Sequence, residues 1–204
     1  MGKATDSSEK SRQILNAATK VLSAHGYAGA TVSRVVEEAN VARGLIHYYF
    51  KNKEDMLAKV LRANMENSLE MIAPIFEDCR SAEALSKRMV KQLKQMLKNR
   101  PDYFNLFVEG IAVSRHSEIV RGALDSLYRD FKMSLLSGIE KLSGKGIICP
   151  KISSTGLAFL LSAILDGMGV QFVSLKGASI EKDAWDSLEQ AIQLLTKGGN
   201  SDDV

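Results

Sequence analysis

Few residues of this 204-residue chain have a type and spacing suited to covalent chemistry. The three histidines, His25, His47 and His116, are scattered, and none pairs with Cys or Glu at metal-ligand spacing. No Glu stands three residues before a His, as a di-iron helical bundle would need. Cys79 and Cys149 form no CxxC pair and cannot build a disulfide scaffold. A glycine-rich phosphate loop and a GxSxG elbow are both missing. No catalytic group, metal site or cofactor is therefore expected. What remains is recognition chemistry near the N-terminus, where Thr31, Arg34, Arg43, His47, Tyr48 and Lys53 supply donors of five chemical kinds. Residues 1–53 hold eight basic and four acidic groups, a formal +4, and the other 151 residues sum to −1. A basic head on a near-neutral body points to a polyanion as partner of the head alone.

Those donors must be carried by helices. Helical periodicity pervades the chain, and alternating apolar and polar runs are short and isolated. With 45% apolar residues, 25% charged residues and three prolines, the composition is that of a globular chain with a sizeable core. The expectation is an all-α fold of about nine helices, over residues 8–25, 32–39, 42–50, 53–78, 81–98, 101–115, 117–142, 154–176 and 181–197. Gly26 should stop the first helix, Thr31 should cap the second, and Pro74 should kink or shorten the fourth. The tail from Gly198 should be disordered. Domains are expected at 1–53 and 54–204, joined through the fourth helix without a flexible linker, so that movement of the body reaches the head directly.

Within the head, residues 31–50 read TVSRVVEEANVARGLIHYYF. Two short helices around a tight turn, with small Ala39 before it and apolar Val41 after it, form a helix-turn-helix. Ile46, Tyr49 and Phe50 should face inward; Arg43, Gly44, Leu45, His47 and Tyr48 should face outward or towards a groove wall. The stretch from Thr31 to Leu57 resembles the DNA-binding domain of the tetracycline-repressor (TetR) family. Thr31, Val35, Val36, Ala39, Val41, Gly44, Ile46, Tyr49, Phe50, Lys53 and Glu54 stand at that family's spacing. Three positions depart from the pattern. Asn40 replaces the usual Gly of the turn, Ala42 removes a helix cap, and His47 stands where a Tyr is usual, with Tyr48 beside it.

The resemblance implies a DNA-binding regulator, most simply a repressor that binds a palindromic operator in double-stranded DNA and is released by a small-molecule effector. Thr31, Arg34, Tyr48 and Lys53 are then expected at phosphates. Arg43 is expected to read a base edge, its fork fitting guanine O6 and N7. Gly44 would allow close approach, Leu45 would press on a thymine methyl, and His47 would touch base or phosphate.

One helix-turn-helix reads only a few base pairs, so a homodimer is expected. Leu157, Leu161, Ile164, Met168 and Phe172, with Trp185, Leu188 and Ile192 of the last helix, are the expected dimer surface. The resemblance also implies an effector pocket in the body, with Tyr103, Phe107, Glu109, His116, Tyr128, Phe131, Asp166 and Gln171 as its candidates. From Thr155 to Leu175, 13 of 21 residues are apolar, nearly a bilayer span in length. Asp166 and Gln171 inside the stretch argue for a core or interface helix instead, with no membrane partner. No charged-then-apolar leader begins the sequence, so a cytoplasmic location is expected. Two other classes stay open: a helical ligand-binding protein whose head no longer reads DNA, and an enzyme that would need a bound cofactor.

Overall fold

Gly26 marks the first corner of the structure, a computed structural model describing residues 2–174 and 182–197. Helix α1 (Gly2–Gly29) leaves helical geometry there, at φ +63° and ψ 176°, which an L side chain rarely adopts. The helix begins earlier than its periodicity indicates. The chain then forms α2 (Val32–Ala39), α3 (Arg43–Tyr49) and α4 (Lys53–Leu69). Thr31 caps α2, its Oγ1 accepting from the Arg34 N–H at 3.3 Å. Asn40 occupies the left-handed region at φ 49°, ψ 50°, so it serves the turn that glycine more often makes. Ala42 gives α3 no side-chain cap.

Helix α4 is shorter than expected. It stops at Leu69, and a four-residue α5 (Ala73–Phe76) carries Pro74 in its first turn, where a missing N–H costs no helical bond. Helices α6 (Ala82–Asn99), α7 (Pro101–Ser114), α8 (Glu118–Gly144), α9 (Ser154–Ser174) and α10 (Lys182–Thr196) follow. No strand occurs among the described residues. The expected helix ends at Lys176 and Glu181, and the tail from Gly198, lie outside the described residues.

Two compact units form. One comprises Met1–Glu66 and Asp102–Leu127. Its core holds Ile14, Ala18, Leu22, Val35, Ala39, Ile46, Leu57 and Val60, joined by Leu106, Phe107, Val120 and Ala123. The other comprises Asn67–Pro101 and Tyr128–Val204. In it α9 and α10 pack on α6, burying Leu85, Met89, Leu93, Leu157, Leu161, Leu188 and Ile192. Buried Ser86 is satisfied by Gln193, whose Nε2 donates to its Oγ at 3.1 Å. Gly138 lets α8 meet the Phe76 ring, because a Cβ there would lie 2.4 Å from ring carbons.

Candidate nucleic-acid interface

The donors singled out in the head fall into two groups. The first gathers where α1 ends and α2 begins. Arg34 Nη1 donates to the Gly29 carbonyl at 2.5 Å, and Lys53 Nζ to the Ala28 carbonyl at 2.7 Å. The Lys53 ammonium also lies 4.8 Å from the centroid of the Tyr27 ring. Both cations thus settle on the last carbonyls of α1, where the helix carries partial negative charge. Burial, and then the charge of Glu54, push the Tyr27 phenol upward. Thr31, Arg34 and Lys53 therefore share one junction, although they are 22 residues apart in sequence.

The second group lies on α3. Arg43, Gly44, His47 and Tyr48 are exposed, Leu45 is half-buried, and Ile46 is fully buried. Arg43 and His47 lie one turn apart, as do Gly44 and Tyr48, so the four share one face. Tyr48 is 84% exposed and meets Tyr49 edge-on, at 6.1 Å between centroids. A Cβ on Gly44 would meet nothing within 4 Å, so the protein's own packing does not require glycine there.

Three supporting residues escaped the sequence reading. Gln13 donates to the Ala39 carbonyl at 2.8 Å and closes the end of α2. Tyr27 lies beneath Lys53. Lys59 donates to the Tyr49 carbonyl at the end of α3. Only its pairing with Asp55 at i,i+4 was visible as a pattern.

The effector candidates are divided between the two units, Tyr103, Phe107, Glu109 and His116 in the first and Tyr128, Phe131, Asp166 and Gln171 in the second. Phe107 is buried in the core of the first unit, and Tyr103 meets Phe104 edge-on at 5.0 Å. Glu109 turns its carboxylate to the α1 corner, where its Oε1 lies 2.8 Å from the Cβ position of Gly26. His116 and Gln171 are exposed, and Phe131 is half-buried. Phe107 thus belongs to the hydrophobic core, and Glu109 abuts the head's own corner. Tyr128 and Asp166 are brought together in the second unit. Burial pushes the Asp166 carboxyl up to about 6; burial and then Asp166 push the Tyr128 phenol up to about 12.

This raised value has a sign. Between its ordinary value near ~4 and about 6, Asp166 keeps a proton in the folded chain that the unfolded chain has released. The resulting stabilisation is complete below the ordinary value and is lost as pH rises through about 6. Asp166→Asn is expected to raise Tm at pH 7–8 and to flatten the Tm profile between pH ~4 and ~6. A thermal-unfolding series superimposable on that of the parent protein counts against this account of Asp166.

The expected dimer surface needs a correction. Leu157, Leu161, Leu188 and Ile192 are buried in the chain's own core, in the unit where α9 and α10 pack on α6. Ile164, Met168, Phe172 and Trp185 are half-buried, and the Lys94 ammonium lies 5.0 Å from the Trp185 ring. On α9 and α10 the exposed large apolar side chains are Phe159 (62% exposed), Leu160 (40%) and Leu194 (78%). Ser154–Ser174 is long and apolar enough to cross a membrane, and 28% of its apolar 18-residue stretch is buried.

Residues 14–60 match the bacterial regulatory proteins of the tetR family. The fatty acid metabolism regulator protein of Bacillus subtilis is 41% identical over 61 residues, 30% of this chain and 31% of that protein. That likeness therefore spans under a third of the relative. The transcriptional repressor AcnR of Corynebacterium jeikeium is 22% identical over 196 residues, 93% of this chain and 95% of the relative. Among solved structures, the transcriptional regulator FadR of Bacillus subtilis in complex with stearoyl-CoA superposes with a TM-score of 0.73 at 19% identity. It covers 89% of this chain and 96% of that one. These relatives are transcriptional regulators rather than enzymes.

Proposed function

We propose, from the match of residues 14–60 to the tetR family of bacterial regulatory proteins, that this chain is a ligand-responsive, DNA-binding transcriptional repressor of that family. In this reading residues 1–53 bind DNA, and residues 54–204 bind the effector and a second copy of the chain. The observation that carries it is the exposed face of Arg43, Gly44, His47 and Tyr48 on α3, with the Thr31, Arg34 and Lys53 junction in the same head. Arg43 reads a base edge in the major groove, and Leu45 and His47 flank it. Thr31, Arg34, Tyr48 and Lys53 hold phosphates and set the register. Open space at Gly44 supports close approach of the DNA to the α3 backbone.

Two copies pair through the uncovered apolar surface of α9 and α10, which includes Phe159, Leu160 and Leu194. Pairing sets two α3 helices at about 34–36 Å, one turn of DNA apart, and the operator is an inverted repeat. A small effector bound in the body favours a state with the heads at another spacing; coupling of ~1–3 kcal/mol lowers DNA affinity about 5- to 150-fold. The stearoyl-CoA held by FadR supports a small-molecule ligand in this fold, without specifying the one bound here. The protein acts in the cytoplasm, where its DNA lies.

Selection of genomic fragments by the purified protein tests the reading. Enrichment of an inverted repeat is expected, and recovery of fragments with no shared sequence contradicts it. Lys53→Ala is expected to weaken all sequences about equally and to reduce the salt slope by about one. A loss confined to the preferred sequence would instead make Lys53 a base-reading or orienting group.

A further inference from the structure

We infer that Lys59 is a positioning residue for α3: from the second turn of α4 it fixes the helix that presents Arg43, His47 and Tyr48, without touching DNA itself. The inference rests on the DNA-reading function proposed above. Helix α3 has seven residues, and Ile46 is the only one of them that is buried. A single apolar knob sets the depth of a short helix but not its rotation or tilt. Phe50, buried at the C-cap, extends that apolar attachment, but one side of α3 stays unpacked, where a cleft of about 500 Å³ opens, lined by Ser11, Leu15, Tyr48, Tyr49, Lys59 and Arg62.

The second attachment is polar. Lys59 Nζ donates to the Tyr49 carbonyl, one of the terminal carbonyls of α3 that have no partner within the helix. The same ammonium pairs with Asp55 Oδ2 at 2.9 Å and lies 5.8 Å from the centroid of the Phe50 ring. The partial negative charge at the end of α3 favours a cation in this place. Asp55 completes the brace. Its Oδ2 accepts from the Lys51 N–H at 3.0 Å, and its own N–H donates to Asn52 Oδ1 at 2.7 Å. Burial raises the Asp55 carboxyl, but the hydrogen bonds and charges of Lys59 and Lys51 outweigh it and hold it below its ordinary value. Every member of the brace lies between residues 49 and 59, so α3 follows α4 when α4 shifts.

The test compares full-length parent protein, Lys59→Met and Lys59→Arg on a DNA fragment the parent prefers and on a shuffled one, over a salt series. Lys59→Met is expected to lower affinity for the preferred fragment by roughly 10-fold, the scale of one base contact. Binding to shuffled DNA and the salt slope should stay unchanged, and Lys59→Arg should restore most of the preference. Equal losses on both fragments, with a salt slope smaller by about one, would make Lys59 a phosphate contact and overturn the inference. An unchanged preference would overturn it too. Should Lys59→Met lose its helical circular dichroism, Asp55→Asn takes its place, with the same selective loss expected and an unchanged preference again overturning the brace. A parent protein with no preference for any fragment would instead overturn the DNA-reading function, whatever the variants do.

Discussion

Replacing Phe159 and Leu194 together by glutamate is expected to leave the chain folded and monomeric, and to lower operator affinity by ~10²–10⁴-fold. The magnitude follows from bivalency: two linked heads gain that much over one through effective concentration alone. The fold should survive because Phe159 is 62% exposed and Leu194 78% exposed, so neither charge enters the core. Pairing should not survive, because each charge would be buried twice over across a two-fold contact without a cationic partner. Sedimentation velocity and operator titration read the two effects separately. A double variant that still sediments as a dimer would move the interface away from this face. The buried neighbours make the contrast: Leu157→Ala, at a residue with no exposure, should cost ~2–5 kcal/mol of stability before it affects association.

Arg43→Ala is expected to cost ~1–3 kcal/mol on the preferred operator and to relax the preference at one base pair in each half-site. Arg43 opens α3, is exposed, and lies one turn from His47, which suits a guanidinium reaching a base edge. Because it supports no packing, its removal should leave Tm nearly unchanged. Titrations against operators substituted at each position identify the base pair concerned. Equal losses on specific and random DNA would assign Arg43 to the phosphates instead.

Much of the head was legible because its rules are local. Thr31 announces a cap, Asn40 a left-handed turn, and Ala39 and Val41 the close approach of two helices, each within a few residues of the effect it causes. The convergence of Arg34 and Lys53 on consecutive carbonyls of α1 was not legible, since it depends on how α1, α2 and α4 meet. The reach of Lys59 to a carbonyl ten residues back was hidden for the same reason. In the body, apolar periodicity showed that α9 has more than one apolar side, but not which side the chain would cover itself. Leu157 and Leu161 are buried within the chain, and Phe159 and Leu160 are left exposed. The aromatic residues around Tyr103 carried still less information, because core and pocket use the same residue types at the same helical spacing; Phe107 is buried.

Sequence-specific DNA binding is the central claim, and fluorescence anisotropy tests it most directly. A fragment from upstream of the protein's own coding sequence is titrated against a shuffled fragment of equal length and composition, at several salt concentrations. The account predicts binding to the native fragment tighter by ~10³-fold or more, and a salt dependence shared by both fragments through the phosphate contacts. Equal, weak and steeply salt-dependent binding to both, repeated across fragments drawn from the whole genome, would contradict it.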